Sequence, residues 1–369
     1  MKILLLPNAF KGSLSATQVI AAFTRAIPQT HTVRAFPISD GGDGFLDFFR
    51  TLDPNARLIF TTAKNAFLKS KRTSFLLLSD GKTAIIETAR ICGLGSAKPN
   101  ELDPLHASSY GVGQVILKAI EKGAKKIYVG LGGVACNDGG AGMAVACGAR
   151  LLDAKNTPLA LGAQALLQLK QLDLSSLPKK VKGVQIFGVT DVTNPLLGPK
   201  SSAKVFGPQK GATAAQVKIL DKAMAAWAHA IRRATGKTIS RVPGTAAAGA
   251  IGAGLYGCFK APLLLGADFL LQKGSLERHA RWADLLITSE GKLDNQTFYG
   301  KAPLAVLKLA KKYQKPTLFI CGQYALPSRA FIPYTPCVVL SLTDIASNVQ
   351  DAKKHAARYI EHACKTLFN

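Results

Sequence analysis

The chain has 369 residues, 48% hydrophobic and 19% charged, with 34 Gly and 18 Pro. That excludes a disordered, collagen-like or coiled-coil polypeptide and leaves room for two globular domains. The balance of 47 Lys and Arg against 22 Asp and Glu gives a net charge of +25, which raises nucleic acid as a partner until the placement of those cations is considered.

The cations fall in small groups, such as Lys118/Lys122/Lys125/Lys126 and Lys308/Lys311/Lys312/Lys315, at the spacing of outer helix faces and without interleaved aromatics. Nucleic acid is therefore not expected. Seven cysteines without a C-x-x-C pair suggest neither a disulfide framework nor a zinc knuckle. No apolar run approaches the roughly 18 residues of a membrane helix. The chain reads as a cytoplasmic protein with reduced thiols and no membrane partner.

Taken in order, Ile3 to Leu6 predicts a strand, and Ser15 caps an amphipathic helix over Ala16 to Ala26 before Thr32 to Ile38 returns as strand. Phe75 to Leu78 and Thr83 to Glu87 flank Ser79-Asp80-Gly81-Lys82, an Asp-Gly hairpin signature that a purely parallel sheet does not need. Helices follow over Tyr110 to Lys122, Ala141 to Cys147 and Thr213 to Thr235, with a strand over Lys126 to Leu131 and a small-residue run over Gly244 to Gly254. The end of the chain alternates again: strands at Leu285 to Thr288, Thr317 to Cys321 and Val338 to Leu342, and helices over Ala302 to Lys312 and Asp351 to Leu367. This pattern predicts an α/β protein of two domains. A Rossmann-like parallel domain is built from residues 1–55 plus 280–369, and a mixed α/β domain, 56–279, is inserted in it.

With so few acids, their positions are informative. Asp40, Asp43, Glu87, Asp138, Asp191, Glu290 and Asp294 lie in or beside turns rich in Gly, Asn or Thr, several directly after strands, where open α/β sheets place ligands. Each such turn alone is ordinary turn chemistry; together they point to a common site. Gly130 to Gly140 follows a strand and leads into a helix, the arrangement of a phosphate cradle. It also matches G-x-G-x-x-A, so a nicotinamide dehydrogenase is an alternative, although Asn137 to Gly140 would interrupt the helix that fingerprint requires. Gly81-Lys82-Thr83 and Gly236-Lys237-Thr238 lack the upstream glycine of a nucleotide P-loop. Lys11, Lys210 and Lys301 sit in or beside glycine-containing loops where they can neutralise an anion, and Asp191 can accept a hydroxyl proton or hold Mg²⁺.

The blocks Phe10-Lys11-Gly12-Ser13-Leu14-Ser15-Ala16, Asp40-Gly41-Gly42-Asp43-Gly44, Gly130 to Gly142, Asp191 to Pro199, Val205 to Ala212, Pro243 to Leu255 and Glu290 to Thr297 with Gly300-Lys301-Ala302-Pro303 resemble, in order and spacing, the type I glycerate kinase family. The resemblance spans nearly the whole chain. It implies ATP- and Mg²⁺-dependent phosphorylation of D-glycerate to phosphoglycerate, usually at the 2-hydroxyl, with another small hydroxy or sugar acid as the alternative acceptor. It points to Lys11 and Asp191 as catalytic residues, and to Ser13, Asp40, Gly132, Gly133, Asn137, Asp138, Asn194, Lys210 and Lys301 as substrate- or phosphate-binding. Asp191, Glu290 and Asp294 are the metal carboxylates. The chain departs from the family pattern at Asn8 and Ala9, where Asp and Ser are usual, and at Gly12, Val134, Cys136 and Lys292; no role is carried onto Asn8.

Overall fold

The computed structural model describes residues 1–39, 41–293, 302–325, 333–334 and 336–368. Among them run thirteen strands: β1 (Lys2–Pro7), β2 (Thr32–Ala35), β3 (Arg57–Lys64), β4 (Ser70–Leu77), β5 (Thr83–Glu87), β6 (Lys126–Gly130), β7 (Arg150–Leu152), β8 (Gln171–Asp173), β9 (Gln185–Thr190), β10 (Leu263–Leu265), β11 (Leu285–Leu293), β12 (Thr317–Tyr324) and β13 (Cys337–Ser341). The chain divides into two compact units, Met1–Leu52 with Gly266–Asn369, and Asp53–Leu265. Helix Gly266–Lys273, which the sequence reading put in the insertion, and helix Leu276–Trp282, which straddles the boundary expected at 280, cluster with the terminal segments because they pack on each other, on helix Ala302–Lys312 and on β1.

The outer unit holds a five-stranded parallel sheet in the order β13-β12-β11-β1-β2. Five consecutive buried residues follow Lys2 in β1, because a central parallel strand is covered on both faces. Ile3 and Leu5 share a core with Val19 and Phe23 of helix Ala16–Ala26 and with Ile360 of helix Ala356–Phe368. Leu4 and Leu6 alternate to the other face. Helix Ala16–Ala26 begins where expected because Ser15 and Gln18 form a reciprocal capping box, Gln18 N–H to Ser15 Oγ at 3.2 Å and Ser15 N–H to Gln18 Oε1 at 2.8 Å. Counted within this unit, the strand order is 2-1-3-4-5, that of flavodoxin-type doubly wound sheets, and its topological switch point falls between β1 and β11. The single terminal helix expected over 351–367 is two, Val349–Lys354 and Ala356–Phe368, divided at His355.

The inserted unit is mixed. Its six-stranded sheet runs β10-β9-β6-β5-β4-β3, with β10, β9, β6 and β5 parallel and β4 and β3 antiparallel at one edge; β7 and β8 form a separate ribbon. The expected hairpin joins β4 to β5: Asp80 accepts from Lys82 N–H, Thr83 N–H and Thr83 Oγ1, and Gly81 takes the left-handed φ of 65°. Helix Ala214–Thr235 starts from a Thr213/Gln216 capping box and stops at left-handed Gly236. The Gly-Lys-Thr segments at 81 and 236 are thus a hairpin turn and a helix end. Among the described residues, no helix is long and apolar enough to cross a membrane.

Candidate active site

Register brings Glu87 opposite Gly130, and Gly130 opposite Val189, so β5, β6 and β9 end at one level of the inserted sheet. The chain leaves that edge as three loops: Thr88 onward, Leu131 to Gly140, and Asp191 onward. Ligands bind outside such carboxyl ends.

The glycine loop is fixed by protein partners. Thr88 Oγ1 donates to the Gly130 carbonyl at 2.8 Å, Gly132 N–H lies 3.3 Å from the same hydroxyl, and the Gly133 carbonyl accepts from Leu94 N–H at 2.7 Å. Trp227, fully buried on helix Ala214–Thr235, donates its indole N–H to the Gly139 carbonyl at 2.8 Å. The following helix opens only at Ala141, after the glycines, and has six residues. It is therefore not the helix a dinucleotide fingerprint requires. Gly132 and Gly133 stand in a braced loop whose Gly132 amide already has an acceptor.

Asp138 is fully buried. Its Oδ2 accepts from Ser108 Oγ, Ser109 N–H, Ser109 Oγ and Gly142 N–H at 2.8–3.2 Å, and Oδ1 accepts from Gly140 N–H at 3.2 Å. Burial pushes its carboxyl pKa up, against the pull of these donors. Asp138 thereby ties the glycine loop to the start of helix Tyr110–Glu121, a positioning role.

Its neighbour Asn137 is also fully buried; Oδ1 accepts from Ser202 Oγ at 3.1 Å, and among the described residues Nδ2 has no hydrogen-bond partner. Lys210 is 3% exposed, with Nζ donating to the Cys136 carbonyl at 2.6 Å. Burial lowers its pKa, opposed by nearby Cys136, Cys92 and Asp138. Against Lys210 lies a left-handed turn, Ala248, Gly249 and Ala250, with φ of 51°, 61° and 64° inside helix Ala247–Cys258. A Cβ on Gly249 would stand 1.9 Å from the Cys136 carbonyl oxygen and 2.8 Å from Lys210 Nζ.

Asp191, 7% exposed, begins the loop after β9. That loop is knitted to the residues just ahead of the same turn: Ala246 N–H bonds the Asn194 carbonyl at 3.2 Å, and Leu196 N–H bonds Thr245 Oγ1 at 2.9 Å. Asn194 turns its side-chain amide to the Lys200 carbonyl at 3.0 Å, which makes it a brace of its own loop. The inserted unit thus gathers Asn137, Asp138, Asp191, Asn194 and Lys210 on connected loops.

Lys11, Ser13 and Glu290 belong to the outer unit, at the switch point of its own sheet. Asn8 N–H bonds the Ser289 carbonyl at 3.1 Å, and Ser289 Oγ returns a bond to the Asn8 carbonyl at 3.2 Å. Glu290, 7% exposed, continues β11. Phe10, Lys11, Ser13, Gly291, Gly322, Gln323 and Lys353 line a crevice there. Gly291 keeps that wall close, since a Cβ there would make a tight 3.0 Å contact with Lys11 N. Ser13 Oγ donates to the Lys353 carbonyl at 2.5 Å. Asp40, Asp294 and Lys301 lie outside the described residues.

Sequence reasoning missed Thr88, Ser108, Ser109, Ser202 and Gly249. Ser108-Ser109 ahead of an amphipathic pattern is a readable helix start. Nothing local distinguishes Gly249 within its small-residue run.

The inserted unit thus defines the chain as an α/β protein with buried Lys and Asp on the loops beyond its parallel strands. The comparisons narrow it. Residues 3–369 match the glycerate kinase family. The chain is 36% identical over 370 residues to a glycerate kinase of Bacillus subtilis strain 168, covering 100% of this chain and 97% of the relative. It is 38% identical over 327 residues to the glycerate 2-kinase of Escherichia coli K12, covering 87% and 85%. A solved structure from Salmonella typhimurium LT2, described as a candidate glycerate kinase 2, superposes with a TM-score of 0.82 at 34% identity, covering 100% of this chain and 97% of that one. The chain belongs to the glycerate kinase family.

Proposed function

We propose that this protein transfers the γ-phosphoryl group of ATP to the 2-hydroxyl of D-glycerate in the cytoplasm, giving 2-phosphoglycerate and ADP. The observation that carries the reading is the buried Asp191 at the carboxyl end of β9, on a loop bonded to Thr245 and Ala246, just ahead of the turn that flanks Lys210. Family membership and the glycerate 2-kinase among its relatives support the substrate and the position. Asp191 accepts the proton of the attacking hydroxyl as the new O–P bond forms and the bond to the ADP oxygen breaks. Lys11, at the outer unit's switch point, neutralises a phosphate or substrate anion.

Among the described residues, no group of three or more His, Cys, Asp or Glu could hold a metal ion by itself. Mg²⁺ in phosphoryl transfer needs fewer: it takes one or two carboxylates and completes its shell with phosphate oxygens and water. Buried, hard-oxygen Asp191 fits that requirement, with Glu290 and Asp294 as the competing carboxylates. Mg²⁺ would supply neutralisation of phosphate charge.

The test is an ADP-release assay with ATP, Mg²⁺ and D-glycerate, the product position being read by phosphorus NMR. A 3-phosphoglycerate product overturns the position, and absence of turnover across small hydroxy and sugar acids overturns the kinase. Asp191→Asn should lower kcat by about two to three orders of magnitude, and a kcat near wild type removes its role as base.

A further inference from the structure

Around Lys210 the fold leaves hydrogen-bonding capacity unused. The Nζ of Lys210 carries three donors and, among the described residues, makes one hydrogen bond, to a neutral carbonyl at 2.6 Å. Asp138 is the acid near enough to act on it electrostatically, but the oxygens of Asp138 already accept five bonds from Ser108, Ser109, Gly140 and Gly142. One peptide unit beyond the carbonyl that Lys210 holds stands Asn137, 0% exposed, whose Nδ2 has no partner among the described residues. Both vacancies are for an acceptor.

The surroundings make this arrangement expensive to keep. Two alanines and a glycine in successive left-handed conformations press the backbone against Lys210 and Cys136, and left-handed alanine is strained. Buried donors in native proteins are nearly always satisfied, and strained backbone collects at ligand sites. One cation with one amide donor, shut away from water, matches a singly charged oxyanion with two oxygens. A dianionic phosphate would call for more cations than Lys210 alone.

We propose that Lys210 and Asn137 bind the carboxylate of the acceptor substrate, so that this pair restricts the enzyme to small hydroxy acids and rejects the corresponding uncharged alcohols and amides. The proposal rests on the kinase reading above. It assigns the ammonium to one carboxylate oxygen and the Asn137 amide to the other, while Ser202 and Cys136 hold the two side chains in place from behind. Truncating one partner of a buried charge pair leaves the other charge unsatisfied, so the loss should be large and confined to the acid.

The experiment is calorimetric binding of D-glycerate, and separately of ATP with Mg²⁺, to wild type, Lys210→Met and Asn137→Asp, each first checked for a cooperative thermal unfolding transition. Lys210→Met should weaken glycerate about a hundredfold while ATP affinity moves less than about threefold. Asn137→Asp keeps the shape but replaces the amide donor by a carboxylate that repels the substrate's own, and should weaken glycerate roughly tenfold or more; it decides the matter if Lys210→Met does not fold. Glyceramide, the uncharged analogue, provides the charge test. Wild type should prefer glycerate by about a hundredfold in kcat/KM, and Lys210→Met should lose most of that preference.

Unchanged glycerate affinity in the folded variants overturns the proposal and makes both residues braces of the glycine loop. Loss of ATP affinity with glycerate retained overturns it in favour of a phosphate ligand. Wild type that neither binds nor phosphorylates glycerate overturns the kinase reading and this assignment with it, whereas wild type active on glycerate with indifferent variants overturns this assignment alone.

Discussion

Asp138 gathers two serines and two glycine amides from both sides of the glycine loop, and all of its partners are donors. Replacing it by Asn, at nearly constant volume, turns an acceptor into a donor and faces it toward those same groups. Asp138→Asn should therefore destabilise the protein by about 1–3 kcal/mol for each donor left without an acceptor, measured as a lower midpoint in urea unfolding. A midpoint equal to wild type would mean that these donors find water. The acid itself was visible in the sequence, because Asn137-Asp138-Gly139-Gly140 follows a strand. Its role was not, because Ser108 and Ser109 lie about thirty residues upstream and nothing in a turn motif says which donors the fold will deliver. Asn194 is a similar case: its place after β9 was legible, but the Lys200 carbonyl that occupies its amide was not.

Elements with a local cause were legible and those with a tertiary cause were not. The helices that start at Ala16 and Ala214 carry their capping residues in the sequence, and the β4–β5 hairpin carries its Asp-Gly turn. By contrast β10 has only three residues, and β9 contains a glycine that fits because a Cβ there would meet Leu263 and Leu131. The edge strand β3 leaves Phe60 55% exposed under Arg72, so it lacks the buried alternation that announces a strand. The hairpin turn offers a test at this scale. Burial acts to raise the Asp80 pKa, but bonds from Thr83 and Lys82 outweigh it and leave the pKa lowered. A lowered folded-state value means that the contribution of Asp80 to stability is complete above its unfolded value, about 3.9, and is lost as pH falls through the folded value. Asp80→Ala should thus be less stable than wild type near neutral pH, and the gap should close as pH drops below about 4. A gap independent of pH, in urea unfolding at several pH values, would show that Asp80 works through turn propensity and not through charge.

At the scale of the whole molecule, 47 cations against 22 acids leave at least 25 cations without an acidic partner even if every acid paired with one. The surface imbalance is greater still, since Glu87, Asp138, Asp191 and Glu290 are buried. Ion pairs such as Arg25 with Glu361 and Lys312 with Glu277 are exposed contacts of small individual worth. Such a field is unfavourable for compactness and favourable for attracting anions. For the proposed reaction, whose two substrates are both anionic, it should speed encounter, an effect screened over about 10 Å at 0.1 M salt. If steering operates, kcat/KM for glycerate falls as ionic strength rises at fixed free Mg²⁺, while kcat changes little, because steering acts on approach and not on the bound complex. The carboxylate pair proposed in the inserted unit makes the expectation sharper. A buried contact is screened much less than surface charges, so Lys210→Met should lower kcat/KM at every salt concentration without altering its salt slope. A flat wild-type response would assign the +25 charge to solubility alone, and a slope abolished by Lys210→Met would place the steering charge in the pocket.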